Sequence, residues 1–239
     1  MTEPAPRKSD LGVRVVSAVV MVAVAASALW LGGSLWVLFV GLIALGVLWE
    51  WRCLTLAMTT DPFMRLIWLV AGVLYIGVSA LALAMMRDSP QQADVVATVI
   101  LAVIATDIGA YFAGRTIGGP KIAPAISPSK TWAGLAGGML AAALVVIAST
   151  QFVGDGSVAP EYFPIYAMLG ALIAVIAQVG DFFESWMKRR ARVKDSGALI
   201  PGHGGLFDRV DGLLAVTFCI GLYIIFIMLL YFSPIFLQR

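Results

Sequence analysis

Seven times along the chain, apolar residues run on for about the length of a bilayer crossing: 13–31, 35–51, 66–86, 95–114, 134–153, 164–184 and 213–233. A helix rises about 1.5 Å per residue, so some twenty apolar residues span a hydrocarbon core of about 30 Å. The runs do not alternate apolar with polar positions, which argues against a membrane barrel. Backbone groups in lipid must find partners within their own segment, which leaves helices. The pattern therefore predicts an all-α polytopic membrane protein of about seven transmembrane helices. The first run has basic residues ahead of it and the small-residue stretch "AVAASA" inside it, as a secretory signal does. It exceeds the about 7–15 residues of a signal's apolar core, so a span is expected there.

Composition agrees with the pattern. Apolar residues make up 61% of the 239, charged residues only 13%, against about 25% in a soluble domain. Mean hydropathy is +0.95. The net charge of +2 is too small to suggest a nucleic acid polymer as partner, and the sidedness of the charges says more. With the N-terminus in the cytoplasm, fourteen of the sixteen basic residues fall on that side, and only Arg87 and Arg239 fall outside. The positive-inside rule thus selects both the orientation and the count of seven. Cys53 and Cys219 have no ligand-like spacing and are expected to be buried small hydrophobes. Two regions are expected: 1–94 with three spans, and 95–239 with four spans and the charged cytoplasmic loops 115–133 and 185–212.

Several acids interrupt this apolar background. Asp107 lies inside the fourth run, and Asp181 and Glu184 close the sixth. A carboxylate at membrane depth costs about 2.5–3.5 kcal/mol on insertion scales, so it faces the bundle interior, pairs with a cation or binds a metal. Asp107 is open to the simpler role of an ion pair between helices. Asp181, Glu184, Ser185 and Lys188 share one helix face at i, i+3, i+4 and i+7; Asp208 and Asp211 share another at i, i+3. One of the latter pair has a fair alternative as a helix cap. The four Asp side chains together would offer a hard divalent cation an all-oxygen site.

The loops carry the complementary chemistry. "RTIGGPKIAPAISPSKTW" offers Arg115, Lys121, Lys130 and the hydroxyls of Ser127, Ser129 and Thr131 just before a helix start, where phosphate is favoured. A capped, solvated loop is the simpler reading of the same residues. "KDSGALIPGHGGLFDRVDG" is rich in glycine, permitting close backbone approach to a ligand, and holds the one histidine, His203. That histidine reads as a loop organiser or a direct substrate contact.

From Ser185 to Asp211 the chain fits S-x-M-K-R-x-x-x-x-K-D-x-G-x-x-I-P-x-H-G-G-L-x-D-R-V-D, which resembles the signature of the phosphatidate cytidylyltransferases. "TDIGAYFAGRTIGGPKIAPAISPSKTWAG" (106–134) and "GDFFES" (180–185) are similar to that family's other blocks, in the same order. The resemblance is detailed over roughly 100–215. Two departures stand out: Ala133 replaces the acid usual after Lys-Thr-Trp, and the chain is shorter than most members, with apolar segments missing ahead of the fourth run.

The resemblance implies the reaction CTP + phosphatidate → CDP-diacylglycerol + pyrophosphate, for phospholipid biosynthesis, at the cytoplasmic membrane interface of a multi-pass protein. It implies Mg²⁺, with or without a second cation, and a homodimer; a bacterial inner membrane fits the short loops. Asp181 and Asp208 are then the foremost metal ligands, with Asp211 and Asp107 next. Lys188, Arg189, Lys194 and Arg209 would bind phosphates or stabilise the leaving pyrophosphate. Lys121, Ser127, Lys130 and Thr131 would cradle nucleotide or lipid phosphate. Asp195 would bind metal or orient Lys194, Ser185 would support the substrate, and His203, Gly204 and Gly205 would shape the turn over the nucleotide. The rival from another class is a proton- or cation-coupled transporter, since carriers also use intramembrane acids. It lacks an internal repeat and a mid-membrane polar centre. Within enzymes, a CTP-dependent enzyme acting on another lipid phosphate or a polyprenol is the alternative.

Overall fold

In the computed structural model, which describes residues 11–89, 92–151, 158–200 and 204–231, the seven runs are seven helices. They are α1 (Leu11–Leu31), α2 (Gly33–Met58), α3 (Pro62–Met85), α4 (Ala93–Thr116), α5 (Trp132–Ser149), α6 (Phe163–Ala191) and α7 (Phe207–Tyr231). Six are long and apolar enough to cross a membrane, and α1 adds a shorter apolar stretch, Val15–Leu31. Arg7, Lys8, His203 and Arg239 lie outside the described residues. The loop between α4 and α5 carries a hairpin, β1 (Lys121–Ala123) paired antiparallel with β2 (Ser127–Thr131).

Local chemistry sets the helix starts and stops nearest the charged end. Asp61 caps α3, its carboxylate accepting the Phe63 N–H with Pro62 at the first helical position. Thr131 caps α5 through Oγ1 and the Gly134 N–H. On α6 the apolar run ends near Glu184, but the helix continues through Lys188, Arg189 and Arg190, whose charge favours a helix C-terminus. It stops at Arg192, which takes the left-handed conformation at φ 57°.

Small residues bring the helices together, as is usual where lipid gives no hydrophobic drive for association. A Cβ on Gly109 of α4 would lie 2.5 Å from the Gly137 carbonyl of α5, and one on Gly180 of α6 would lie 2.6 Å from the Asp211 carbonyl of α7. Helices α3 and α2 close the bundle on the other side, α3 against α7 and α2 against α3 and α6. Trp51 is the centre of that contact. It is buried among Phe183, Phe207 and Tyr75 with ring centroids 5.8–5.9 Å away, and its indole donates to the Trp68 carbonyl at 2.8 Å.

Cys53 and Cys219 are exposed, not buried. Both lie on helices whose surroundings would be lipid, and a thiol in an apolar solvent gains little from burial in protein.

Candidate active site

Successive helices alternate in direction, so α2, α4 and α6 end, and α3, α5 and α7 begin, at one end of the bundle. The hairpin and the strap between α6 and α7, described at 192–200 and 204–206, lie at that end. Arg189, near the end of α6, donates through Nε to the Ile126 carbonyl at the hairpin tip, 3.3 Å away. This contact seats the hairpin on α6 and delivers Lys130, in β2, to the acids.

Three carboxylates converge there. Asp181 and Glu184 of α6 and Asp211 of α7 each present an oxygen within 4.8 Å of the others. The close approach at Gly180 is what lets α7 bring Asp211 so near. Lys130 forms an ion pair with Asp181, and its ammonium lies 4.7 Å from the centroid of the Phe182 ring. Ser185 Oγ donates to the other Asp181 oxygen at 3.3 Å. Asp211 accepts the N–H of Gly212 at 2.7 Å. Glu184 is 1% exposed, with Oε2 held by Lys188 at 2.6 Å. Its Oε1 is buried with no hydrogen-bond partner among the described residues. A buried acceptor left open costs about 1–3 kcal/mol or more, so this oxygen is placed for something that binds. An all-carboxylate group with one open oxygen fits a hard divalent cation.

Asp208, expected to be a foremost metal ligand, is not among the three. Its Oδ1 accepts from Lys188 at 2.5 Å, and its Oδ2 accepts from Ser196 N and Oγ, both at 2.8 Å, and from Gly205 N at 3.1 Å. Both oxygens are thus engaged, and Glu184 stands where the sequence suggested Asp208. Lys188 bridges the two, a cation between Glu184 and Asp208.

Beside the carboxylates opens a pocket of about 340 Å³, lined by Asp107, Tyr111, Arg115, Lys130, Gln178 and Asp181 among others. Asp107 lines its wall and, among the described residues, forms no ion pair, so the expected alternative of a helix-tying salt bridge is not what the structure holds. Arg115 donates to the Tyr111 hydroxyl at 2.9 Å. Ser129 and Thr131 also line the pocket, though the Thr131 hydroxyl is occupied in capping α5. Ser127 is buried in β2, and Lys121 is exposed, donating weakly to the Ser129 carbonyl at 3.4 Å. Ala133 is half-buried in the first turn of α5.

The remaining expected residues lie farther out. Lys194, Asp195 and Arg209 are exposed, and so is Arg189 beyond its contact with the hairpin. Gly204 takes φ +84°, and its backbone bridges to that of Ile200. A Cβ on Gly205 would strike Ser196 Oγ and come within 2.7 Å of Asp208 Oδ2, so only glycine lets the strap close on that carboxylate.

Sequence reasoning passed over Glu50 of α2. It is 1% exposed, accepting from Leu206 N at 2.9 Å, Phe207 N at 2.8 Å and Ser196 Oγ at 3.0 Å. A lone acid inside an apolar run was the available signal, the same one that singled out Asp107.

Comparison with known proteins gives the family. Residues 53–230 match the model of a family described as "Cytidylyltransferase family". A protein of Brucella suis named phosphatidate cytidylyltransferase is 34% identical, the match covering 87% of this chain and 91% of that one. Proteins of the same name from Rickettsia bellii and Rickettsia conorii are also 34% identical, covering 91% and 94% of this chain and 94% of each of theirs.

Proposed function

We propose, since this chain belongs to the cytidylyltransferase family and is an enzyme of that kind, that it transfers CMP from CTP to phosphatidate, giving CDP-diacylglycerol and pyrophosphate. The observation that carries the reading is the convergence of Asp181, Glu184 and Asp211 beside Lys130 and an open pocket. The carrier reading suggested by the intramembrane acids gives way to the family.

The charge sidedness supports placing the N-terminus, the hairpin and the strap in the cytoplasm. CTP would then arrive from the water, and phosphatidate from the cytoplasmic leaflet of a bacterial inner membrane. Both reactants are polyanions, and Lys130, Lys188, Arg115 and Arg189 stand near the pocket to offset their mutual repulsion. Asp181, Glu184 and Asp211 would hold Mg²⁺, which when bound supplies positive charge against the triphosphate. A phosphatidate oxygen attacks the α-phosphorus of CTP; a new P–O bond forms as the bond to the β-phosphate bridging oxygen breaks, and pyrophosphate leaves. A phosphate monoester has its second pKa near about 6 and is mostly ionised at neutral pH, so no strong general base is needed. Orientation and charge complementarity supply the rate, as in phosphoryl transfer generally.

The test uses purified protein in mixed micelles with phosphatidate, Mg²⁺ and CTP labelled in the cytosine ring. Label entering the lipid with equimolar pyrophosphate supports the reading. Free CDP in place of labelled lipid would identify a CTP-dependent kinase, and no consumption of CTP by folded protein would overturn it.

A further inference from the structure

Glu50 does more than fill a polar gap. Its carboxylate comes from α2, yet its three hydrogen-bond donors belong to the strap or to the first residue of α7. Oε1 takes the Leu206 N–H, and Oε2 takes the Phe207 N–H and faces the Ser196 hydroxyl. The first N–H groups of a helix have no partner inside it, so Glu50 caps α7 from another helix, and its charge lies at the favourable end of the dipole. The strap fits closely around it: a Cβ on Gly197 would collide with the Glu50 carboxylate. Ser196 lies on the α6 side of the strap and Leu206 at its α7 end, so one side chain holds both.

The contact continues into the site. Ser196 gives its backbone N–H to Asp208 Oδ2, and its hydroxyl lies 2.8 Å from the same oxygen and 3.0 Å from Glu50. A hydroxyl has one proton to donate, so Ser196 couples the two carboxylates instead of serving either alone. Asp208 in turn holds Lys188, and Lys188 holds Glu184 of the three-carboxylate group. A continuous chain thus runs from Glu50 through Ser196, Asp208 and Lys188 to Glu184.

We propose that Glu50 is a positioning residue for cytidylyl transfer, clamping the strap at Ser196 and at Leu206 so that Asp208 and Lys188 are held in register with the carboxylate group. The proposal rests on the reaction assigned above. Glu50→Gln keeps the size of the side chain but places an amide NH₂ where one acceptor stood. Its kcat is expected to fall about 10–100-fold, the usual cost of losing an outer-shell partner, with KM for CTP changed by no more than about twofold. Ser196→Ala removes only the hydroxyl and should reproduce much of that loss. If Glu50 acts through Ser196, the double variant falls no further than the worse single one, whereas independent roles would multiply.

Hydrogen exchange gives a readout apart from turnover: the Leu206 and Phe207 amides should exchange faster in the full-length Glu50→Gln protein. Wild-type kcat in either Glu50→Gln or Ser196→Ala, or multiplied losses in the double variant, would overturn the proposal. If Glu50→Gln does not fold, the Ser196→Ala kcat decides. Unchanged exchange in Glu50→Gln beside an active wild type would refute the clamp alone. A folded wild type that transfers no CMP refutes the assigned reaction and with it the catalytic role, while the exchange data still decide the clamp.

Discussion

Lys130, on a hairpin strand, is ion-paired with Asp181, on the sixth helix, and its ammonium rests against the neighbouring Phe182 ring. The pair joins the hairpin to the acids and aligns the cation with the pocket mouth. Lys130→Met is expected to lower kcat/KM about 10²–10³-fold, the loss typical when one preorganised charge stabiliser is removed. Lys130→Arg should recover little, because a planar guanidinium fork does not occupy the space of a compact ammonium. Initial rates of labelled-lipid formation measure both.

Glu184 lies in the three-carboxylate group, whereas Asp208 is held by Lys188 and Ser196. Glu184→Gln removes charge from the three-carboxylate group and should raise the half-saturating Mg²⁺ concentration about 10–100-fold. Asp208→Asn leaves that group intact and breaks the Lys188–Ser196 connection, so most turnover should disappear with little change in half-saturating Mg²⁺. A Mg²⁺ titration of both variants checks the distinction; an equal rise in both would return Asp208 to the metal.

Gly180→Ala tests the closeness of α6 and α7. The added methyl would meet the Asp211 carbonyl and the Ala215 Cβ, each 2.6 Å from its position. Overpacking of this kind costs about 1–3 kcal/mol, and the helix that moves carries Asp211. A lower thermal midpoint in detergent and a disproportionate loss of activity are expected together.

Ala133→Glu restores the acid usual in the family's first block. The position lies in the first turn of α5, where a carboxylate is favoured by about 0.3–1 kcal/mol. Activity within about twofold of wild type is the expected result for such a half-buried helix-start position. Clear inactivation would mean that the pocket beside Thr131 has closed around the small residue.

How much of this was legible beforehand follows from the physics of each element. The seven spans could be read because length and apolarity are local properties, and the long α6 could be read past its apolar run because its charged face keeps helical spacing. The hairpin could not: "KIAPAISPSK" has two prolines and no alternation, and its contact with α6, Arg189 to the Ile126 carbonyl, joins residues 63 positions apart. Spacing placed Asp181 with Glu184, and Asp208 with Asp211, on shared helix faces. It could not say how α6 and α7 are rotated against each other, which decides that Glu184 and Asp211, not Asp208, meet Asp181. Glu50 could be noticed as a lone acid in an apolar run, but its role could not be read, because its partners are 146 to 157 positions away.

That separation has a consequence for biosynthesis. At about 5–20 residues per second, a ribosome needs roughly 8–30 s to get from Glu50 to Phe207. During that interval α2 has been made and its carboxylate has none of the three donors that later surround it. An acid so placed resists deep burial, so the Glu50 end of α2 should linger at the lipid headgroups until the last helix arrives. Completion of the enzyme is then a docking event between the second helix and the seventh, and a chain stalled before residue 207 holds an unfinished second span as well as an unfinished site.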